Sequence, residues 1–339
     1  MPARNVVRSI RDTWTLRGNL ETRWFDAWHP VLDEALRELP EMENCPHELF
    51  RLLMSNPSPV AKKSVLVCNR GRPVAVVGLR RRERHWELAT RGVVSYCLAP
   101  ALPEFLYPAL AALRVDLWVY WQNRPPPDRV AHTVTPVQTY RLDCKTDFEA
   151  YWKQTGLIRS IRRSRRVAER FTFEVDSPRS AAWTIRHWAD RWKDVSASVS
   201  APDFLVTAEY LQASHRLHSF CLLEEGTPVS GRIMFVDGDG LVLACTSYLE
   251  EYRQLGVGIR LFDQSSQWAT KAGYATISLG GGDAYKAQWA PQGETIWTFN
   301  IAPNHIYLAK RVAWACRKSL AAARTKFFDG PQEPTLGDT

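Results

Sequence analysis

Residues 252–258 read Tyr252-Arg253-Gln254-Leu255-Gly256-Val257-Gly258, and this stretch decides the fold. An apolar segment, Leu241–Thr246, precedes it and is typical of a β-strand. After it, apolar residues recur at helical spacing up to Gly273, which predicts a helix that ends there. The two glycines therefore lie where a strand leads into a helix N-terminus. Unpaired N–H groups and the helix dipole favour an anion there, and glycine lets it approach.

The composition indicates a globular protein of about two domains. The chain has 339 residues and a net charge of +8, which favours anionic partners: phosphates, nucleic acid or a lipid surface. It contains no run of about twenty apolar residues, so no transmembrane helix is expected, and residues 1–11 lack the apolar core of a secretion signal. The seven cysteines are scattered and lack Cys-x-x-Cys spacing, which predicts a reduced, cytoplasmic enzyme without a metal site.

The chain also contains an internal repeat. Residues 65–79 and 220–234 both read as an apolar strand, a polar turn with glycine, and a Pro-Val pair that opens a second strand. Their Gly, Pro and Val align at one offset, and helical patterns precede both hairpins; a chance match of two hairpins is the alternative. We therefore predict two copies of one α/β unit, joined near residues 136–150. Only the second copy has the glycine turn, because residues 90–96 contain a single glycine.

The order of motifs from Thr246 to Gln292 resembles a known family. The spacing Arg253-x-x-Gly256-x-Gly258 is similar to the acyl-CoA pyrophosphate signature of the GNAT acetyltransferases, and the block Gly282-Asp283-Ala284-Tyr285-Lys286 is more specific. Together they resemble the CelD-like branch, in which two GNAT-like halves are fused and which is related to the Fem peptidyltransferases. One departure is the Gly-Val-Gly turn, since Ser-Pro-Gly is expected in that branch.

The resemblance implies an α/β (α+β) fold of tandem GNAT-like domains, each a mixed central sheet flanked by helices. The implied division is an N-terminal segment (1–20), a degenerate GNAT-like half (21–140), an acyl-CoA-binding half (141–328) and a mobile tail (329–339). The resemblance further implies an N-acyltransferase that uses acetyl-CoA or another acyl-CoA as co-substrate, without a metal. The acceptor would be an amine, such as an amino sugar or an envelope or exopolysaccharide precursor.

The same resemblance assigns roles to individual residues. Tyr285 would protonate the departing CoA sulfur, or else it packs at a strand end. Asp283 is either a general base or the cap of the helix that follows it. Arg253 either adds charge to the pyrophosphate site or is a solvated loop residue. The strand and turn expected to hold the acyl-CoA comprise Leu243, Ala244, Cys245, Thr246, Arg253, Gln254, Leu255, Gly256, Val257 and Gly258.

A basic helical face is predicted in the same half. The residues that fall on this face are Arg159, Arg162, Arg163, Arg166 and Arg170, and such a face is either solvated or meets a polyanion. Three of them, Arg159, Arg163 and Arg166, are singled out. They are candidate ligands of a phosphate-bearing acceptor. Lys286 is a further candidate, and Trp289 is either a sugar-stacking wall or a core residue.

Two other functions stay open from the sequence. A Fem-like transferase would use aminoacyl-tRNA, which the basic helix favours and the acyl-CoA turn opposes. A non-catalytic nucleic-acid or anion-binding module would keep the fold without the chemistry.

The basic segment 304–328 predicts a docked helix or, alternatively, weak contact with a membrane surface. His215 continues the apolar stripe of Phe204 and Leu211 and is predicted to pack in the core.

Overall fold

The repeat predicted from the hairpins forms two halves with the same order of elements. The computed structural model describes residues 20–303 except 27, 43–44, 59, 91–98, 128–129, 132, 146, 167, 192–200 and 282–283. Each half contains, in chain order, a strand, two helices, a two-stranded hairpin, one more strand, a helix and two final strands. The second half adds two short helices before its first strand.

The strands within these residues are β1 (Leu20–Phe25), β2 (Lys62–Asn69), β3 (Arg72–Arg82), β4 (His85–Leu88), β5 (Leu117–Gln122), β6 (Thr133–Asp143), β7 (Thr172–Val175), β8 (Leu217–Glu224), β9 (Thr227–Asp237), β10 (Gly240–Tyr248), β11 (Thr276–Gly281) and β12 (Gln292–Ile301). The α-helices are α1 (Val31–Arg37), α2 (His47–Ser55), α3 (Leu106–Ala112), α4 (Phe148–Gln154), α5 (Ile158–Arg166), α6 (Pro178–Arg191), α7 (Ala201–Ala213) and α8 (Val257–Lys271). Short 3₁₀ helices occupy Pro103–Phe105, Ala168–Arg170, Glu250–Leu255 and Ala284–Gln288.

All of these strands belong to one sheet, in the order β1-β2-β3-β4-β5-β12-β6-β11-β10-β9-β8-β7. The last strands of the two halves are exchanged at its centre. β6, the last strand of the first half, pairs antiparallel with β11 of the second half. β12, the last strand of the second half, pairs antiparallel with β5 of the first half, and β6 and β12 also pair with each other. The boundary predicted between residues 140 and 141 falls inside β6.

The sheet is mixed, because β4 runs parallel to β5 and β10 runs parallel to β11 while the other pairs are antiparallel. Helices cover both of its faces, so β2 and β8 read as nearly continuous apolar runs rather than as alternating ones. The predicted α/β class, with a mixed sheet flanked by helices, is confirmed.

Two helices of each half pack on one face of the sheet and form a shared core. This core contains Leu49 of α2, Phe204 of α7 and Cys245 of β10, all buried. A buried ion pair reinforces it, since Nζ of Lys62 on β2 lies 2.6 Å from Oδ1 of Asp203 on α7. On the opposite face of the second half, α4, α5 and α8 enclose a second core. The two halves are therefore joined by packing as well as by strand exchange.

The helix α6 packs directly against Gly231 in β9. A Cβ at Gly231 would lie 1.9 Å from Oγ1 of Thr184, a fully buried residue of α6. We expect Gly231→Ala to lower the free energy of unfolding by about 2 kcal/mol, because overpacking typically costs roughly 1–3 kcal/mol. Urea denaturation measures this change. Adding Thr184→Ala should restore part of the loss, and a single Gly231→Ala variant as stable as the parent would refute this packing.

Candidate functional site

The candidate site begins where two neighbouring strands cease to pair. β10 pairs with β11 only between Gly240–Val242 and Thr276–Ser278, although β10 continues to Tyr248. A β-bulge between Leu243 and Cys245 also interrupts the pairing of β10 with β9. Such a bulge bends the strand and turns its backbone. From Leu243 onward, one edge of β10 therefore faces a gap instead of another strand.

A cleft of about 480 Å³ lies at this gap. Among the residues predicted from the sequence, those that line it are Leu243, Thr246, Arg253, Gly256, Gly258, Lys286 and Trp289. Other predicted residues of the strand and turn point elsewhere. Cys245 and Ala244 pack in or against the core on the α6 and α7 face, and the Val257 side chain is buried in the core beneath α8.

The glycine turn adopts the geometry that its sequence predicts. Gly256 has φ 70° and ψ 31°, a left-handed conformation that glycine adopts without strain, and it is the N-cap of α8. No side chain caps this helix. Because the first N–H groups of a helix have no intrahelical acceptor, those of Val257, Gly258 and Ile259 are available to a ligand. Gln254 and Leu255 instead lie in the preceding 3₁₀ helix, and the Gly256 N–H donates to the Arg253 carbonyl at 3.0 Å.

The arginine-rich helix α5 packs beside this turn. A Cβ at Gly256 would lie 3.5 Å from Cβ of Ser164, which is buried on α5. Arg165 on the same helix donates two hydrogen bonds of 2.8 Å to the carboxylate of Asp263, a fully buried residue of α8. The hydrogen bonds that Arg165 donates to the carboxylates of Asp263 and Glu149 raise the pKa of its guanidinium, which therefore stays charged. This ion pair fixes α5 against the N-terminal half of α8.

Several cationic side chains border the cleft. Arg253 is exposed and donates to Glu250 at 2.9 Å, and Arg191 lies over the Tyr248 ring with its Cζ 4.6 Å from the ring centre. Arg232, on β9, is only 5% exposed; it donates to Ser265 at 3.0 Å and lies above the Phe262 ring. The cleft is therefore electropositive, which suits a ligand that carries phosphates.

The two predicted catalytic residues lie largely beyond what the structure describes. Asp283 is outside the described residues. The backbone of Tyr285 lies in the 3₁₀ helix Ala284–Gln288, directly after β11, but its side chain is outside the described part. Lys286, in the same helix, lines the cleft and donates to the Gly281 carbonyl at 3.0 Å.

Trp289 belongs to the core and also borders the cleft. It packs edge-on against Phe262, with ring centres 5.1 Å apart, and contacts Trp152 in the same way. It also lines the cleft. The residue is thus part of the aromatic core beneath α8 and presents part of its surface to the site.

Sequence reasoning missed two polar residues near the cleft. Arg232 is the one charged residue in the segment from Pro228 to Val236. A charged residue inside an otherwise apolar strand is unusual, and this signal could have marked Arg232 as a functional candidate. His187 on α6 lies with its Nδ1 2.6 Å from Oγ of the buried Ser247 on β10, one turn before Arg191. No local motif marks His187, because its partner is distant in the sequence.

Comparison with known proteins agrees with this geometry. Residues 156–288 match the family model described as "Acetyltransferase (GNAT) domain". The match lies within the second half of the chain, and it confirms the predicted resemblance to the GNAT acetyltransferases for these residues. A domain of this kind supports, in general, acyl transfer from an acyl-CoA to an amine. No protein among the curated ones matches the chain.

Three solved structures are similar in overall fold. A tandem GNAT protein from the clavulanic acid biosynthesis pathway is 11% identical, with 84% of this chain and 99% of that chain covered and a TM-score of 0.45. FemX is 9% identical, with 84% and 98% covered and a TM-score of 0.44. A GCN5-related N-acetyltransferase from Kribbella flavida is 9% identical, with 84% and 71% covered and a TM-score of 0.44. At these identities the similarities carry no information about substrates.

Within the described residues no helix is long and apolar enough to cross a membrane. The same part of the chain holds no group of three or more His, Cys, Asp or Glu side chains placed to bind a metal ion.

Proposed function

We propose that the protein is an acyl-CoA-dependent N-acyltransferase, with acetyl-CoA as the first donor to test and an amine acceptor of the amino-sugar or envelope-precursor class. The observation that carries this proposal is the left-handed Gly256 at the start of α8, which opens onto the gap between β10 and β11. A helix N-terminus without a capping side chain offers N–H groups to a pyrophosphate. The unpaired edge of β10 offers backbone groups to the amide-containing arm of the same molecule.

The chain's own groups fit such a donor. Among the described residues, only the Tyr248 ring lies within 4 Å of a Cβ placed at Gly258, at 3.8 Å, so this side of the helix start is open to a ligand. The N–H groups of Val257, Gly258 and Ile259 would hold the phosphates, and the β10 edge from Leu243 to Thr246 would position the remainder. Acyl-CoA supplies a thioester, which an amine attacks once it has lost its proton. A backbone N–H of β10 would polarise the thioester carbonyl.

Proton transfer is proposed for the segment after β11. Tyr285 would donate a proton to the departing thiolate, since an unperturbed tyrosine is protonated at neutral pH. Asp283 would accept the proton of the amine, directly or through water. We assign both roles from their position in the sequence directly after β11.

Two measurements test the proposal. Acetyl-CoA should raise the melting temperature of the protein, because a ligand that binds only the folded state stabilises it. Thiol release from acetyl-CoA should then identify the amine in a panel of amino sugars and other amines. No shift with CoA or with any common acyl-CoA would overturn the proposal.

The thiol assay is practical because the protein's described cysteines are buried. Burial raises the pKa of Cys144 to about 11 and that of Cys221 to about 12, so neither is a reactive thiolate at neutral pH.

We expect Tyr285→Phe to lower kcat by about 10²-fold, within the usual contribution of a general acid, without a change in the acetyl-CoA-dependent melting shift. Unchanged turnover in this variant would assign the proton donor elsewhere.

A further inference from the structure

The arginines of α5 fall into two groups that the sequence does not distinguish. Arg162 lies 3.0 Å from Glu149, and Arg165 pairs with both Glu149 and Asp263. These hydrogen bonds, from Arg162 first and Arg165 second, lower the pKa of the Glu149 carboxyl. The other arginines of the helix, Arg159, Arg163 and Arg166, are exposed and form no ion pair with any residue that the structure describes.

The unpaired arginines lie on the flank of α5 that faces away from the body of α8. Successive residues of a helix are about 100° apart, so Arg163 and Arg165 project to opposite sides of Ser164. Ser164 lies against Gly256, and Arg165 reaches Asp263, two turns into α8. Arg163 therefore projects from the side of Ser164 that lies opposite to Arg165 and its partner Asp263. By the same geometry Arg159 and Arg166 lie on the same outer flank as Arg163, farther from α8.

Three neighbouring positive charges on one flank repel one another unless an anion lies between them. A phosphate monoester carries nearly two negative charges at neutral pH, and its oxygens accept the paired N–H groups of a guanidinium in a bidentate arrangement. The helix that carries this flank packs beside the turn to which the pyrophosphate is assigned, since a Cβ at Gly256 would lie 3.5 Å from Cβ of Ser164. Its chemistry therefore matches a second phosphate on the donor side of the site, rather than the acceptor side to which the sequence assigned these arginines.

We propose that Arg159, Arg163 and Arg166 bind the ribose 3′-phosphate of the acyl-CoA donor, so that the enzyme selects free acyl-CoA over carriers that lack this phosphate. This inference rests on the proposed function, because it presupposes that the pyrophosphate lies at Gly256. It assigns donor selection to a helix outside the glycine turn. Dephospho-CoA, which differs from CoA only by the 3′-phosphate, is the probe that isolates this contact.

The test is isothermal titration of CoA and dephospho-CoA into three proteins: the parent, Arg163→Ala/Arg166→Ala, and Arg162→Ala as the matched control. The parent should bind CoA at least tenfold more tightly than dephospho-CoA. The double variant should lose that preference by weakening CoA alone. Arg162→Ala removes one positive charge from the same helix, at an arginine that pairs with Glu149. This variant should therefore keep a preference for CoA over dephospho-CoA that is within twofold of the parent's.

Each other outcome has a definite meaning. Equal binding of both compounds by the parent overturns the inference and leaves the proposed function intact. A double variant that weakens both compounds equally shows a general electrostatic effect and also overturns it. If neither compound binds to the parent, the proposed function fails as well. Steeply salt-dependent binding of tRNA in place of CoA would assign the flank to a nucleic acid.

Discussion

Gly258→Glu should weaken acetyl-CoA binding at least ~100-fold while the free energy of unfolding stays the same or increases. Gly258 lies in the first turn of α8 and lines the cleft. A carboxylate there would stand where the pyrophosphate is proposed to bind, and like charges in contact cost several kcal/mol, of which about 2.7 corresponds to 100-fold. The same substitution favours the helix. Glu is a better helix former than Gly by roughly 0.5–1 kcal/mol, and an acidic side chain in the first turn interacts favourably with the helix dipole.

Two measurements separate these effects. Titration with acetyl-CoA reports binding, and urea denaturation reports stability. The control is Ala213→Glu, which adds the same charge at the exposed end of α7, away from the cleft. If Gly258→Glu binds acetyl-CoA with the affinity of the parent, the pyrophosphate does not lie at this helix and the proposed site is wrong.

Arg165→Met should lower the free energy of unfolding by about 3 kcal/mol. The substitution removes the partner of Asp263, whose side chain is fully buried, and leaves its charge uncompensated. Breaking a buried ion pair in this way typically costs 3–5 kcal/mol, and the low end applies because the Arg165 side chain is 32% exposed. Since the pair holds α5 against α8, we also expect weaker binding of acetyl-CoA. Urea denaturation measures the first effect.

The matched control for Arg165→Met is Arg162→Met on the same helix. Arg162 pairs with Glu149 at the surface, and exposed ion pairs contribute less than about 1 kcal/mol. Adding Asp263→Asn to Arg165→Met removes the stranded charge and should recover part of the lost stability. A loss equal to that of Arg162→Met would mean that Asp263 finds water or another partner, and that α5 is held by apolar packing alone.

The sequence predicted the parts of this protein that depend on local patterns. The strand, the turn at Gly256 and the helix that ends before Gly273 follow from apolar spacing and from the glycines, and the structure has all of them. The two hairpins predicted from their shared Gly-Pro-Val pattern are β2–β3 and β8–β9. The helical patterns before each hairpin are also confirmed, as α1, α2, α6 and α7.

Features that depend on distant residues were not predicted. Nothing in the local pattern of residues 133–143 shows that they pair with the second half, because strand partners are chosen by the whole sheet. The division of the α5 arginines depends on Glu149 and Asp263, which the helix itself does not contain. His215 was wrongly predicted to pack in the core. The helix α7 ends at Ala213, so its periodicity no longer applies, and His215 is exposed with φ 55°.

The exchange of β6 and β12 determines how the protein can be divided. A fragment that ends after β5 would lack the strand that covers β5, and a fragment that begins at β7 would leave β11 with an open edge. Unpaired edges of this kind favour aggregation. The half without a phosphate turn therefore completes the sheet of the half that has one, and we expect neither half to be stable when it is expressed alone.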